Sequence, residues 1–194
     1  WKARVRSVLY RPFDKRVIYW HPELYDIGRG ASSKRVMSHM FNSNLAIVTS
    51  RMTKGEEFAH VFVSRIPVEV IFLSSKTSNN AFVFPLKVYS GLNSQISLGS
   101  DANESRLNLN PDFLNKLSER LKSRLDDDGL PVGVSPEDVL NYVYSVLYSQ
   151  VYRNRYMEFL KIDFPRIPLP GNSQLFGSLG NLGARLISLH LMEA

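Results

Sequence analysis

The spacing of apolar positions changes partway along this chain. Up to about residue 90 they alternate or cluster in short runs between polar turns; beyond residue 110 they recur every three or four residues. The first rhythm predicts strands. Residues 4–10 and 16–20 read as a pair about the turn Arg11-Pro12-Phe13-Asp14, because proline and aspartate suit a turn. Leu45 to Thr49 and Ala59 to Ser64 follow as strands, separated by a charged loop over 50–57. Val68 to Leu73 and Ala81 to Tyr89 read as two more, flanking a polar hairpin tip over 74–80. In the second of these, Phe82, Phe84, Leu86 and Val88 alternate onto one half-buried face. Gly91 to Asn108 is polar and reads as a surface connection between two lobes.

The second rhythm predicts helices. Asn110-Pro111-Asp112 starts one, with Leu114, Leu117, Leu121 and Leu125 along a face and Asp126-Asp127-Asp128-Gly129 as its stop. Ser135-Pro136-Glu137-Asp138 is a capped start with acids in the first turn, and Leu140, Val143 and Leu147 follow at helical spacing. A further helix spans 152–161 with Tyr156, Phe159 and Leu160 turned inward, and Asp163-Phe164-Pro165 ends it. The closing helix, 174–192, places Leu175, Leu179, Leu182, Leu186 and Leu189 on one face. Gly177, Gly180 and Gly183 lie three apart and would admit another backbone. The tyrosines crowded into 142–156 read as amphipathic rings at a helix seam. The fold class is therefore α+β: a strand-rich lobe over 1–108, then a helical lobe over 109–194.

Charge sharpens that division. Residues 1–90 carry fourteen Lys and Arg against six Asp and Glu, a balance of +8; residues 91–194 carry ten against twelve, or −2; together they make the net +6. An excess confined to one half points to a polyanionic partner, and with no basic amphipathic helix there the better candidate is nucleic acid. No apolar run is long enough to span a bilayer, so no membrane partner is expected. The absence of cysteine rules out disulfides and thiolate metal sites and is compatible with a reducing, cytoplasmic setting. A chain opening on Trp1 reads as a piece of a longer one.

Phosphate neutralisation needs Lys, Arg and hydroxyl donors along a face, while base reading favours Arg or Lys for guanine and Asn or Gln for adenine. Both inventories gather in predicted loops of the first lobe. Arg29, Ser32, Ser33, Lys34 and Arg35 form one cluster; Arg51, Thr53 and Lys54 form another; Arg65 lies just past a strand; Lys76, Thr77, Ser78, Asn79 and Asn80 make the hairpin tip. The bland reading of each is a solvated loop.

Catalytic readings find less support. Asn110-Pro111-Asp112-Phe113 resembles an amino-methyltransferase tetrapeptide, but Asp112 stands where a second proline is needed, and the run caps a helix well. Gly28-Arg29-Gly30 lacks the strand and third glycine of a dinucleotide loop, and no phosphate-cradling GxxxxGK[ST] occurs. No acid-x-lysine pair of a metal-dependent nuclease is found. The aspartates 126–128 suit a hydrated helix-end loop better than a cation site, and the four histidines lack metal-ligand spacing.

A resemblance completes the reading. Tyr10-Arg11-Pro12-Phe13-Asp14, then Phe84-Pro85-Leu86 with Tyr89, are its first two motifs. Val143-Tyr144-Ser145-Val146-Leu147 follows, then Tyr152-Arg153-Asn154-Arg155-Tyr156 and Asp163-Phe164-Pro165-Arg166-Ile167-Pro168. Gly183-Ala184-Arg185-Leu186 with Leu189-His190-Leu191 closes the series. In this order they resemble the C-terminal specificity region of type ISP restriction–modification enzymes; Lys87-Val88 departs from the aromatic and aliphatic pair more usual there. The resemblance implies a target-recognition module for double-stranded DNA. It would present an adenine to a methyltransferase domain outside this chain and pack on other domains of the same polypeptide. S-adenosylmethionine, ATP and Mg²⁺ are implied for the whole enzyme, with no cofactor, metal site or catalytic residue expected in this segment. A structural coupling module without base readout and a divergent nuclease are the alternatives.

Overall fold

The computed structural model describes residues 4–21, 36–74, 76, 79–90 and 105–193. The chain forms two compact units. One comprises residues 1–50 and 62–108; the other comprises 51–61 and 109–194, so the segment between two strands of the first unit is counted with the helices.

In the β unit, β1 (Val5–Arg11) and β2 (Asp14–Tyr19) form an antiparallel ribbon with Val5 opposite Tyr19 and Leu9 opposite Lys15. At its tip Phe13 adopts a left-handed φ of 67°, which lets two residues reverse the chain. β3 (Ala46–Ser50) is the middle of a three-stranded sheet, between β4 (Val61–Ser64) and β5 (Ala81–Pro85). Every residue of β3 is buried, as a central strand covered on both faces must be. One face carries Val48 into a core with Phe62, Val68 and Phe72, against which Leu9, Ala81 and Val83 also pack. Phe62 meets Phe72 and Phe13 edge-on, each at 5.3 Å between ring centres, within the favoured range for aromatic pairs.

Three strand expectations change. Residues 68–73 form turns rather than a strand: Glu69 accepts from the Ile71 N–H at 2.8 Å, and its carbonyl accepts from Phe72. Phe72 is thereby driven into the core, leaving only a single parallel bridge, Leu9 to Val68. The run 81–89 splits into β5 and β6 (Lys87–Tyr89) at Leu86. Ala81 and Val83 turn inward beside Val48, so Phe82 and Phe84 are exposed while Leu86 is buried; the expected common face does not exist. The buried amide of Asn44 secures the break: it donates to the Lys87 carbonyl at 2.8 Å and accepts from the Lys87 and Leu45 N–H groups. Finally, part of the supposed connection is a strand, β7 (Ser105–Leu107), paired with β6; the rest of 91–104 lies outside the described residues.

The helical unit follows its caps closely. Asn110 accepts from the Asp112 N–H at the start of α1 (Pro111–Leu121), which ends where Lys122 turns left-handed and its N–H reaches back to two carbonyls. Leu125 therefore falls beyond the helix and bridges to Pro131. Ser135 and Asp138 close a reciprocal capping box at the start of α2 (Pro136–Tyr148). The next predicted helix is two pieces, α3 (Gln150–Arg155) and α4 (Met157–Leu160). They are parted at Tyr156, whose φ of −111° and ψ of 19° leave helical geometry and whose ring is exposed rather than inward.

α5 (Ser173–Leu191) buries Phe176, Gly180, Gly183 and Ile187, whereas Leu175, Leu182 and Leu189 are exposed. The leucine face expected to be its core side is thus largely its outer side. The reason is the approach of α2, which requires a glycine at the crossing: a Cβ on Gly183 would collide with the Asn141 carbonyl oxygen. Around this contact Tyr142 meets Phe176, and the Tyr144 hydroxyl is 2.6 Å from His190 Nδ1. The hydroxyls of Tyr142 and Tyr152 donate to the carbonyls of Pro168 and Arg166, holding the proline-rich tail after α4.

Gly183→Ala is expected to destabilise the helical unit by about 1–3 kcal/mol in denaturant unfolding, since neither backbone can retreat cheaply. Gly180→Ala meets no atom within 4 Å and should be neutral or stabilising by up to about 1 kcal/mol. Equal losses in both variants would count against the close crossing. A second expectation concerns pH. Burial holds the His190 imidazole below its ordinary 6.5, so the unfolded chain takes up the proton first. Its contribution is complete above that value and is lost as pH falls below it. His190→Asn should show a shallower fall in unfolding midpoint between about pH 7 and 5 than the parent, and parallel curves would refute the assignment.

Candidate nucleic-acid interface

The sequence-selected cations and amides divide between the two units and fare differently. Arg29, Ser32, Ser33, Lys34 and Arg35 lie outside the described residues, as do Thr77 and Ser78. Arg51, Thr53 and Lys54, expected in the strand-rich lobe, belong to the helical unit. Arg51 is exposed and faces Asp163 at 3.4 Å. The Phe164 N–H, and then Arg51 itself, hold the Asp163 carboxyl below the usual carboxylate range. Thr53 is only 5% exposed: its hydroxyl donates to the Glu56 carbonyl at 2.7 Å and its N–H to the Lys161 carbonyl at 3.1 Å. Thr53 shapes a loop closed by Gly55 at φ 82°, and that loop presents Lys54 outward.

In the β unit, Arg65 is exposed just after β4. The expected hairpin tip is not a hairpin, because 68–73 is not a strand. Lys76 and Asn80 are exposed, whereas Asn79 is buried, at 2% exposure. Its polar neighbourhood in sequence gave no sign of this; burial follows from Phe72 anchoring the preceding turn in the core and from the Ala81 N–H donating to Val70 at 2.7 Å.

The ribbon adds exposed cations that a search confined to loops passes over: Arg4, Arg6, Lys15 and Arg16. Lys15 and Arg16 are neighbours and both exposed, so this part of β2 is open on both faces.

The tyrosine-rich stretch serves the fold. Burial pushes the Tyr142 hydroxyl up to about 12 and raises Tyr144, Tyr148 and Tyr152, so all four are neutral at physiological pH. Tyr142, Tyr148 and Tyr152 donate to main-chain carbonyls. Arg153 lies over the rings of Tyr148 and Phe58 and donates through Nε to the Leu147 carbonyl. In the 126–128 loop, Asp126 Oδ1 accepts from the Asp128 and Leu130 N–H groups, so the carboxylate organises the turn. Among the described residues, no group of three or more histidines and acids could hold a metal ion, and no helix is long and apolar enough to cross a membrane.

Three solved structures share this architecture. A DrdV–DNA complex matches with a TM-score of 0.74 at 24% identity, over 98% of this chain and 16% of its own. The ATP-dependent Type ISP restriction-modification enzyme LlaBIII bound to DNA matches with a TM-score of 0.71 at 26% identity, over 97% of this chain and 11% of its own. A nuclease-deletion mutant of the Type ISP enzyme LlaGI, in complex with a DNA substrate mimic, gives 0.64 at 24%, over 97% of this chain and 14% of its own. The chain thus spans a small fraction of each solved relative. None of the curated proteins matches it. The model of the Type ISP C-terminal specificity domain covers residues 1–194 without remainder, and the chain belongs to that family.

Proposed function

We propose that this chain is the DNA target-recognition module of a restriction–modification polypeptide, and that it positions a target adenine for N6-methylation by a domain outside the chain. The observation that carries the reading is the family match across all 194 residues, supported by likeness to enzymes whose structures contain DNA. The charge balance of +8 over residues 1–90 supplies the physical means, since each Lys or Arg that neutralises a phosphate releases a counterion. In this reading Arg29, Ser32, Ser33, Lys34 and Arg35 join Arg51, Lys54, Arg65, Lys76 and Asn80 in contacting the duplex. Thr53 supports the loop carrying Lys54 and does not itself touch DNA.

The chemistry of cleavage, translocation and methyl transfer belongs, in the same reading, to other domains of the polypeptide. The residues of this segment do not fit the cofactors implied for the whole enzyme. Its described acids and histidines form no metal cluster, and its sequence has neither a phosphate-cradling loop nor a methyltransferase tetrapeptide. No step is therefore assigned to S-adenosylmethionine, ATP or Mg²⁺ within it.

Exchanging this segment between two full-length enzymes of different specificity tests the reading. Mapping of methylated adenines in genomic DNA should show the modified sequence travelling with the segment; a sequence that stays with the recipient would overturn it. Arg35→Ala combined with Arg51→Ala in the full-length enzyme should weaken binding to a cognate duplex and reduce the slope of log affinity against log salt by about two. Unchanged affinity at low and high salt would remove both residues from the interface.

A further inference from the structure

One arginine on the ribbon, Arg16, is paired along one edge of its guanidinium and lies over an aromatic ring while its side chain stays half exposed. The Arg16 guanidinium carbon lies 3.8 Å from the centre of the Tyr10 ring, which also has Arg11 over it at 4.1 Å. Arg11 is committed elsewhere: its Nη1 donates to Glu69 at 2.7 Å. Arg16 instead directs Nε and Nη2 at Asp14, with Nε 3.2 and 3.1 Å from the two carboxylate oxygens and Nη2 2.8 Å from Oδ2. That charge-assisted pairing pulls the Asp14 carboxyl down and raises Arg16, so both stay ionised.

Asp14 occupies only the side edge of the fork. A guanidinium has five N–H donors, and those on the end edge, at Nη1 and the outer side of Nη2, meet no acceptor among the described residues. The Arg16 side chain is 55% exposed. As an ordinary surface ion pair this arrangement would contribute little to stability. As a binding element it is well prepared, because stacking and pairing have already removed most of the rotamer freedom that an arginine loses on contact.

We infer that Arg16 is a DNA-contacting residue, buttressed by Asp14 and Tyr10, whose end edge takes two coplanar acceptors of the duplex. The inference rests on the DNA-recognition reading above and deepens it. Its surroundings suit an anion: residues 4–19 hold five Lys and Arg against one Asp, on a two-stranded ribbon of the kind a major groove admits. Two acceptors with the required chemistry exist there, the oxygens of one phosphodiester and the O6 and N7 of a guanine.

The test uses the full-length polypeptide with Arg16→Ala, Arg16→Lys and Asp14→Asn, and Lys116→Ala on exposed α1 as the control. Binding is measured to the cognate duplex and to each single-base-pair variant of it, at about 50 and about 200 mM salt. Arg16→Ala should lose roughly tenfold in affinity. Arg16→Lys, which keeps charge but not the fork, should also lose, and Asp14→Asn should lose less because the arginine remains but is released. A uniform loss with a salt slope lower by about one identifies a phosphate; a loss that disappears when one guanine is replaced identifies that base. Should Arg16→Ala fail to fold, judged by its unfolding midpoint, the Lys and Asn variants give the same reading. Affinities equal to the control for Arg16→Lys and Asp14→Asn, or for a folded Arg16→Ala, would overturn the inference. If the modified sequence follows the exchanged segment while Arg16 variants are silent, only this residue's role falls; if it does not follow, the module reading itself falls.

Discussion

Where α5 crosses α2 there is no room for a side chain: Gly183 lies so close to the Asn141 carbonyl that even a methyl group would collide with it. Much in the helical unit follows from this approach. It decides which face of α5 is inward, since at Gly183 the two backbones come too close to admit a side chain. It brings Phe176 onto Tyr142 and His190 onto Tyr144, so aromatic contacts hold the crossing on either side of the glycine. It also buries much of α2, seven residues in thirteen, and the tyrosine hydroxyls find partners in neighbouring main-chain carbonyls and, for Tyr144, in the His190 ring. Tyr142 and Tyr152 find them in the tail at Pro168 and Arg166, and that tail is fixed in consequence.

The β unit rests on a different constraint. β3 is buried along its whole length; β4 sends Phe62 into the core with Val68 and Phe72, and β5 turns its smaller residues, Ala81 and Val83, toward them. Val83 lies opposite Val48, and Phe82 and Phe84 take the other face. Asn44 then marks the break between β5 and β6, its buried amide bonding both the N–H and the carbonyl of Lys87, the first residue of β6. Turns over 68–73 close the core by burying Phe72 instead of adding a strand.

These constraints shape how positive charge is displayed. A cation contributes to recognition in proportion to how little it must reorganise, and the described cations differ in that respect. Arg11 is tied to Glu69, Arg51 shares Asp163, and Arg153 is laid along aromatic rings. Arg16 is both positioned and open at one edge, because Asp14 and Arg16 stand two apart on β2 and so share a face of the ribbon. Rigid placement of donors, more than their number, is what would distinguish reading a sequence from merely adhering to a polyanion.

The sequence by itself determined the class of most elements and the starts of the capped helices. Caps at Asn110 and Ser135, the turn at Pro12 to Asp14 and the change from strand to helix rhythm are all local chemistry, and each appears where the residues place it. The family motifs were legible for the same reason, being contiguous runs of side chains. What only the tertiary structure decided is which side of an element faces inward and which polar groups are spent on the fold. The leucines of α5 and the phenylalanines of β5 satisfy an apolar pattern, yet the inward side went to the face carrying Gly183 in the one, where a neighbouring backbone approaches, and to Ala81 and Val83 in the other. Asn79 and Thr53 looked like surface donors because composition cannot record the turn that buries them. Arg16 looked like one charge among many, because the ring beneath it and the carboxylate beside it take effect only once the ribbon has closed. Periodicity is a property of one segment, whereas packing is settled between segments, and there the closest approach prevails.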